Sequence, residues 1–111
     1  MFKTVNINEF HTQWLKSQEN GDDFTIIDVR EPHEYTQGHV PGANLVVLNT
    51  IPARSDEIPQ KGDVYMICHL GGRSAQAIQF LAKNCGHTNL INVVGGTSAW
   101  IQAGYPIQKG E

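Results

Sequence analysis

Short apolar runs alternate with amphipathic stretches along this chain, and the alternation restricts the folds that it can adopt. The clearest run occupies residues 64–67, VYMI. Its length and its β-branched or aromatic side chains are typical of a strand buried on both faces of a sheet. Similar runs occupy residues 24–29, 44–48 and 90–94. Buried strands separated by helices predict an α/β fold with a mainly parallel central sheet of about four to five strands, flanked by helices on both faces.

The stretches between the runs carry helix start and stop signals. Capping residues precede the predicted helices, prolines occupy first turns and glycines follow the last turns. The clearest start is a capping box at residues 6–9, NINE. The predicted helices are, in order, one from this capping box to residue 20, one at residues 32–37, a one- or two-turn helix opened by Pro52, one at residues 74–85 and one at residues 97–103.

Length and charge exclude several classes of protein. The 111 residues carry eight basic and eleven acidic side chains, for a formal net charge of −3. This length fits one domain over residues 1–111, and the lack of a basic excess argues against nucleic-acid binding. The longest apolar run has five residues, 64–68, which is too short to cross a membrane, and the opening sequence lacks a secretory signal. We therefore expect a cytoplasmic protein without membrane contact.

The two cysteines, Cys68 and Cys85, form neither a metal-ligand spacing nor a disulfide framework. We accordingly expect no metal site. The residues around each cysteine therefore decide what its thiol can do.

The loop after residues 64–67 carries the strongest chemical signal. It reads CHLGGRS over residues 68–74 and leads directly into a predicted helix. Function in parallel sheets concentrates at the C-terminal ends of strands, where this loop lies. Its two glycines permit a tight curl, including positive φ, that turns successive amides inward as an anion-binding nest. The amides expected to line this nest are those of Leu70, Gly71, Gly72, Arg73 and Ser74.

Cys68 at the lip of such a nest is a candidate nucleophile. The positive end of the following helix, with Ser74 as its expected N-cap, and the side chains of His69 and Arg73 would favour the thiolate. A second interpretation fits the same residues, because a cysteine at a strand end is often a small buried hydrophobe and an arginine at a helix start often pairs with a surface acid. The combination of cysteine, glycine pair, arginine and helix start favours the nucleophile.

Three segments, in this order along the chain, resemble signatures of the rhodanese family. Residues 26–43, IIDVREPHEYTQGHVPGA, resemble its first signature, an aspartate-x-arginine followed by a glycine-histidine-x-proline-glycine-alanine turn. CHLGGRS resembles its active-site loop. Residues 93–107, VVGGTSAWIQAGYPI, resemble its C-terminal signature of paired glycines, tryptophan and glycine-x-proline. The resemblance covers nearly the whole chain in a single copy, as in the single-domain members.

The resemblance implies a sulfurtransferase with a rhodanese-like fold. Cys68 would attack the outer sulfur of thiosulfate, or of another small anionic sulfur donor, and would carry that sulfur as a persulfide. A second nucleophile would then take it: cyanide in vitro, and a thiol or a protein in the cell. The resemblance implies no metal and no organic cofactor. The loop amides would stabilise both the thiolate and the anionic persulfide.

The resemblance also suggests roles for side chains around the loop. Arg73 would bind the sulfonate end of thiosulfate or steady the persulfide. His69 would tune Cys68 or contact the donor, with a solvent-facing position as the alternative. Asp28 and Arg30 match the first signature, and we expect an internal Asp–Arg or backbone bond that fixes the sheet edge. The alternatives are a catalytic Asp28 and an Arg30 that faces the mouth of the site. His39, in the turn of that signature, is expected to be a structural histidine.

Other prominent residues have structural interpretations. Cys85 lies late in a helix without glycines around it, and we expect it to be inert, with resolution of an oxidised Cys68 as the alternative. Gly95 and Gly96 predict a tight strand-to-helix turn near the loop, with a substrate-lining role as the alternative. The large aromatic residues expected in the core are Trp14, Phe80 and Trp100.

Two rival functions fit parts of the pattern. In the pattern of cysteine phosphatases and arsenate reductases of related fold, five residues separate the cysteine from the arginine. In this chain, four residues separate Cys68 from Arg73. The shorter loop leaves less room for phosphate. A non-catalytic rhodanese-like module for binding or regulation is the second rival, although such modules commonly lack the cysteine or the arginine that this chain keeps.

Overall fold

A five-stranded parallel sheet forms the centre of the molecule in the computed structural model, which describes residues 2–110. The strand order is β1-β5-β4-β2-β3, so β4 and β5 are interior strands. The strands are β1 Lys3–Val5, β2 Thr25–Asp28, β3 Asn44–Leu45, β4 Val64–Ile67 and β5 Leu90–Val93. The helices are α1 Ile7–Asn20, α2 Pro32–Gln37, α3 Ile51–Arg54, α4 Gly72–Cys85 and α5 Gly96–Gln102.

Helices cover both faces of the sheet, as the sequence predicts, and two apolar clusters result. On one face, α3 and α4 pack Ile51, Ile78 and Leu81 against β4 and β5. On the other, α1 and α5 contribute Phe10 and Trp100, whose ring centroids lie 5.5 Å apart near the edge-to-face geometry that aromatic pairs prefer. The sheet is therefore buried on both sides, which explains why its strands are apolar runs rather than alternating ones.

The helix signals are largely confirmed. Asn6 and Glu9 form the reciprocal capping box, and Gly21 ends α1 in the left-handed conformation with φ +69°. Pro52 lies in the first turn of the four-residue α3. The predicted start of α4 is wrong by two residues: the helix begins at Gly72, and Gly71 is its N-cap.

Strand prediction fails at the sheet edges. β1, which the sequence analysis did not predict, pairs with β5 and places Val5 beside Val93. The run at residues 44–48 is a strand only over Asn44–Leu45, since Leu48 already begins a 3₁₀ turn. Both edges depend on hydrogen bonds to distant strands, which a local apolar pattern does not encode.

All five strands run in the same direction, so their C-terminal ends meet at one edge of the sheet. The loops after β2, β4 and β5 therefore come together there. Among residues 2–110, every helix is too short or too polar to span a bilayer.

Candidate active site

The loop after β4 wraps its backbone around the sulfur of Cys68. Cys68 follows the strand directly and is 1% exposed. The chain then curls through Gly71, whose φ of +116° is open to glycine but strained for other residues, and enters α4. The Gly71 amide donates to Cys68 Sγ at 3.0 Å. An amide aimed at the sulfur stabilises negative charge on it, as the nest interpretation requires.

Ser74 does not cap α4; this part of the sequence prediction is wrong. Because the two glycines let the helix begin at Gly72, Ser74 lies inside its first turn and is fully buried. Its Oγ is 3.3 Å from Cys68 Sγ, 3.1 Å from the Gly71 carbonyl oxygen and 2.5 Å from Asn92 Oδ1. Ser74 therefore contacts the sulfur through its hydroxyl group instead of accepting a hydrogen bond from a free amide at the start of α4.

The start of α5 holds the other side of the loop. The amides of Gly95, Thr97 and Ser98 donate to the carbonyl oxygens of Leu70, Cys68 and His69, at 3.2, 2.8 and 3.0 Å. In a trans peptide unit the carbonyl and the next N–H point in opposite directions. Pulling these three carbonyls toward α5 therefore turns the following three amides away from it. One of those three is the Gly71 amide that reaches Cys68 Sγ.

Gly96 is required for this contact between α5 and the loop. Its φ is +58°, and a Cβ atom placed on it would collide with the carbonyl oxygen of Cys68 and lie 2.6 Å from that of His69. Gly95 has φ +87°, and its Cβ would lie 2.8 Å from the Ala99 Cβ. The predicted tight turn at the glycine pair is thus present, and its close approach is to the backbone of the Cys68 loop.

Arg73 is paired with an acid. Its Nη1 and Nη2 donate to the two carboxylate oxygens of Glu34 in α2, at 2.7 and 2.9 Å. This bidentate bond lowers the pKa of Glu34 to about 2, and the same bond raises the pKa of Arg73. The interpretation of Arg73 as partner of an acid is therefore confirmed as a contact. Sequence reasoning missed Glu34 itself, which lies 39 residues away along the chain.

Asp28 and Arg30 form an internal ion pair, as expected. The Arg30 Nε donates to Asp28 Oδ1 at 2.9 Å, and Nη2 donates both to Asp28 Oδ2 at 2.8 Å and to the Gly38 carbonyl at 2.9 Å. Asp28 is fully buried and Arg30 is 4% exposed. The pair ties the end of β2 to the exit of α2, the helix that carries Glu34.

A groove of about 340 Å³ lies beside the loop, between α2 and α5, and His69 and Glu34 line it together with Thr97 and Ile101. His69 and Leu70 are both exposed, so their backbones belong to the loop while their side chains face outward. The groove gives a small molecule or a partner's side chain a place to bind next to the residues that cradle Cys68.

The remaining residues singled out in the sequence lie in the core or pack against it. His39 is 1% exposed, its Nδ1 lies 2.8 Å from the Tyr35 carbonyl oxygen, and its ring stacks on that of Tyr35. Cys85 is half-buried against the α3/α4 side of the core. Trp14 and Trp100 are buried, whereas Phe80 is only partly buried. Over the described range, residues 2–110, no group of three or more His, Cys, Asp and Glu side chains could hold a metal ion.

Sequence comparison identifies the family. Residues 11–103 match the family model described as a rhodanese-like domain. This chain belongs to the rhodanese-like family. It is 35% identical over 102 residues to a sulfurtransferase of Allochromatium vinosum, covering 91% of this chain and 94% of that protein. It is 34% identical over 96 residues to the putative sulfur carrier protein YrkF of Bacillus subtilis, covering 86% of this chain and 51% of that protein.

Solved structures agree with this rhodanese-like assignment. A rhodanese-like domain protein from Staphylococcus aureus superposes with a TM-score of 0.82 at 27% identity, covering 99% of this chain and all of that one. A rhodanese-related protein from Thermoplasma volcanium gives a TM-score of 0.76, also at 27% identity, over 96% of this chain and 98% of that one. The rhodanese-like fold therefore spans the chain, and the named relatives support a role in sulfur transfer.

Proposed function

We propose that this rhodanese-like domain is a sulfurtransferase that carries sulfane sulfur on Cys68. The observation that carries the proposal is the cradle: a buried sulfur at a strand end receives the Gly71 amide at 3.0 Å and lies 3.3 Å from the Ser74 hydroxyl oxygen. Such donors stabilise negative charge at the sulfur before and after the transfer. A cysteine that served only as core packing would not need them.

The reaction takes place as a double displacement with thiosulfate as donor. The Cys68 thiolate attacks the outer sulfur, the sulfur–sulfur bond to the sulfonate group breaks, and sulfite leaves with the bonding electron pair. The enzyme then holds a Cys–S–S⁻ persulfide. An acceptor anion attacks the outer sulfur of that persulfide and returns the Cys68 thiolate; with cyanide the product is thiocyanate. Charge and atoms balance in both steps without a metal or cofactor.

Arg73 keeps free N–H groups that can bind the thiosulfate anion while the side chain is bound to Glu34. A guanidinium group has five N–H donors, and the carboxylate takes one from each terminal nitrogen. The side chain is 35% exposed. We therefore assign Arg73 two roles, attachment of the loop to α2 and attraction of the sulfonate group. His69 takes part through the groove that its side chain lines.

The second substrate is a thiol, free or carried on a protein. The groove beside the loop gives such an acceptor access from the side of α2 and α5. A relationship to the putative sulfur carrier protein YrkF supports a protein acceptor. Transfer between proteins without a nucleic acid or membrane partner, in the cytoplasm, is the setting that we propose.

Intact mass tests the proposal directly. The wild-type protein is incubated with thiosulfate, desalted and weighed beside Cys68→Ser and the matched control Cys85→Ser. We expect wild type and Cys85→Ser to gain one sulfur atom that cyanide or dithiothreitol removes, and Cys68→Ser to gain none. A gain in Cys68→Ser would place the persulfide elsewhere. No gain in any protein, repeated with a second sulfane donor, would favour a binding module.

A further inference from the structure

Asn92 is a polar side chain in an interior strand, and it has no role in the sulfur-transfer steps proposed above. It lies in β5 between Ile91 and Val93 and is 6% exposed; its cross-strand partners are Met66 of β4 and Thr4 of β1. Burying a side-chain amide without hydrogen bonds costs free energy, so a buried Asn92 requires hydrogen-bond partners. Its Nδ2 donates to the Gly71 carbonyl at 3.2 Å, and its Oδ1 faces Ser74 Oγ at 2.5 Å.

The Ser74 hydroxyl has one proton and two positions for it. A hydroxyl group donates a single hydrogen bond. The Gly71 carbonyl needs no proton from Ser74, because the Ala75 amide and Asn92 Nδ2 already donate to it. The remaining acceptors are Asn92 Oδ1 and, when it is ionised, Cys68 Sγ. Asn92 and the thiolate therefore compete for the same proton.

We propose that Ser74 and Asn92 form a two-position hydrogen-bond switch that follows the charge on Cys68 Sγ. This inference rests on the persulfide chemistry proposed above. With the thiolate, Ser74 donates to Sγ, and Asn92 Oδ1 is left without its donor. With the neutral thiol or the persulfide, in which the charge lies on the outer sulfur, Ser74 turns back to Asn92.

The switch keeps the thiolate and the persulfide of Cys68 close in free energy. A thiolate stabilised by every available donor would be a weak nucleophile, because donors that stabilise its charge also lower its reactivity. Asn92 offers the Ser74 proton a second acceptor. When the thiolate accepts that proton, Asn92 Oδ1 loses its hydrogen bond, and this loss offsets part of the stabilisation of the thiolate. Asn92 is thus a positioning residue, which acts on Cys68 through Ser74.

The test measures the pH midpoint of iodoacetamide alkylation of Cys68, in a Cys85→Ser background so that only one thiol reacts. Ser74→Ala removes the donor to the thiolate, so we expect the midpoint to rise by about one pH unit. Asn92→Leu removes the competing acceptor while keeping similar volume, so we expect the midpoint to fall. Shifts in opposite directions are the signature, since merely loosening the loop would weaken the cradle in both variants.

The double variant Ser74→Ala with Asn92→Leu sharpens the test. Without the Ser74 hydroxyl, Asn92 has no proton to withhold, so the double variant is expected to match Ser74→Ala alone. Matched controls are Ser17→Ala, a buried serine bonded to the Trp14 carbonyl, and Asn89→Leu, whose amide donates to two backbone carbonyls at the other end of β5. Both controls are expected to leave the midpoint unchanged.

The charged groups around Cys68 are kept in all these variants. They are Arg73 in α4, Glu34 in α2, the Asp28–Arg30 pair at the end of β2 and His69 in the loop. Neither β5 nor α5 contains a titratable residue. No change in the alkylation midpoint can therefore come from a lost charge, and the opposite signs in the two variants distinguish the switch from the loss of the Asn92 Nδ2 bond to Gly71.

Equal shifts in the same direction, or additive shifts in the double variant, would overturn the switch. If Asn92→Leu does not fold by circular dichroism, Asn92→Ala replaces it with the same expected sign. The thiosulfate mass gain of the wild type is measured alongside. No mass gain with thiosulfate or with a second sulfane donor would overturn the proposed function, whereas a normal gain with same-sign midpoint shifts would overturn only the switch.

Discussion

At the scale of single residues, Gly96 is the position where one added methyl group does the most damage at the site. Gly96→Ala would combine a φ of +58° with a collision against the backbone of Cys68 and His69, neither of which can move like a flexible side chain. We expect a loss of about 3 kcal/mol in the free energy of unfolding, from backbone strain and overpacking together. Urea unfolding measures it.

Gly104→Ala is the matched control, because Gly104 has φ +79° with no atom within 4 Å of its would-be Cβ. Strain alone acts there, for a cost of about 1–2 kcal/mol. Equal losses at Gly96 and Gly104 would show that the contact between α5 and the Cys68 loop is not close. A larger loss at Gly96, with faster alkylation by a bulky reagent, would show that the contact also shields the sulfur.

At the scale of elements, the Glu34–Arg73 pair joins α2 to the start of α4. The pair holds the pKa of Glu34 at about 2, below its ordinary value of 4.5, so it stabilises the fold above pH 4.5 and this contribution disappears as the pH falls toward 2. We expect Glu34→Gln to cost about 1 kcal/mol at pH 7, reduced by the partial exposure of Arg73. The difference from wild type should shrink between pH 4.5 and 2.

The exposed pair Arg54–Glu57 supplies the control for that prediction. Glu57→Gln removes an ion pair of the same chemistry, with a shortest contact of 2.8 Å, that joins no two distant elements. Because this pair is more exposed, we expect Glu57→Gln to lower the free energy of unfolding at pH 7 by less than Glu34→Gln does. A Glu34→Gln variant with the stability of wild type at pH 7 would mean that the pair does not hold the loop.

The limits of the sequence prediction also lie at the scale of elements. Capping residues and apolar runs located α1, β2, β4 and β5 because those signals are local. β1 has three residues, two of them exposed, and becomes a strand only by pairing with β5.

Local reasoning reached the backbone of the site but not all its side-chain partners. The CHLGGRS loop fixed the place of Cys68, its glycine turn and its helix. Glu34 and Asn92 lie 39 and 18 residues from their partners Arg73 and Ser74, and only the packed sheet brings them together. The one available signal for Asn92 was a polar residue inside an apolar run.

At the scale of the whole molecule, the Cys68 loop lies where the two apolar clusters meet at the end of the sheet. Cys68 itself packs in the α3/α4 cluster, while its carbonyl is held by α5, whose Trp100 belongs to the other cluster. The cradle therefore requires both faces of the sheet to be folded at once. That arrangement predicts one cooperative unfolding unit in which neither face melts alone.

The two tryptophans allow this cooperativity to be measured. Trp14 and Trp100 both lie in the α1/α5 cluster, whereas Leu81 is fully buried in the α3/α4 cluster across the sheet. Leu81→Ala is expected to cost about 2–5 kcal/mol. Because the faces unfold together, the urea midpoint seen by tryptophan fluorescence should fall as far as the midpoint seen by circular dichroism. A fluorescence midpoint that stays at its wild-type value would show that the α1/α5 face folds independently and that the cradle can lose one wall while keeping the other.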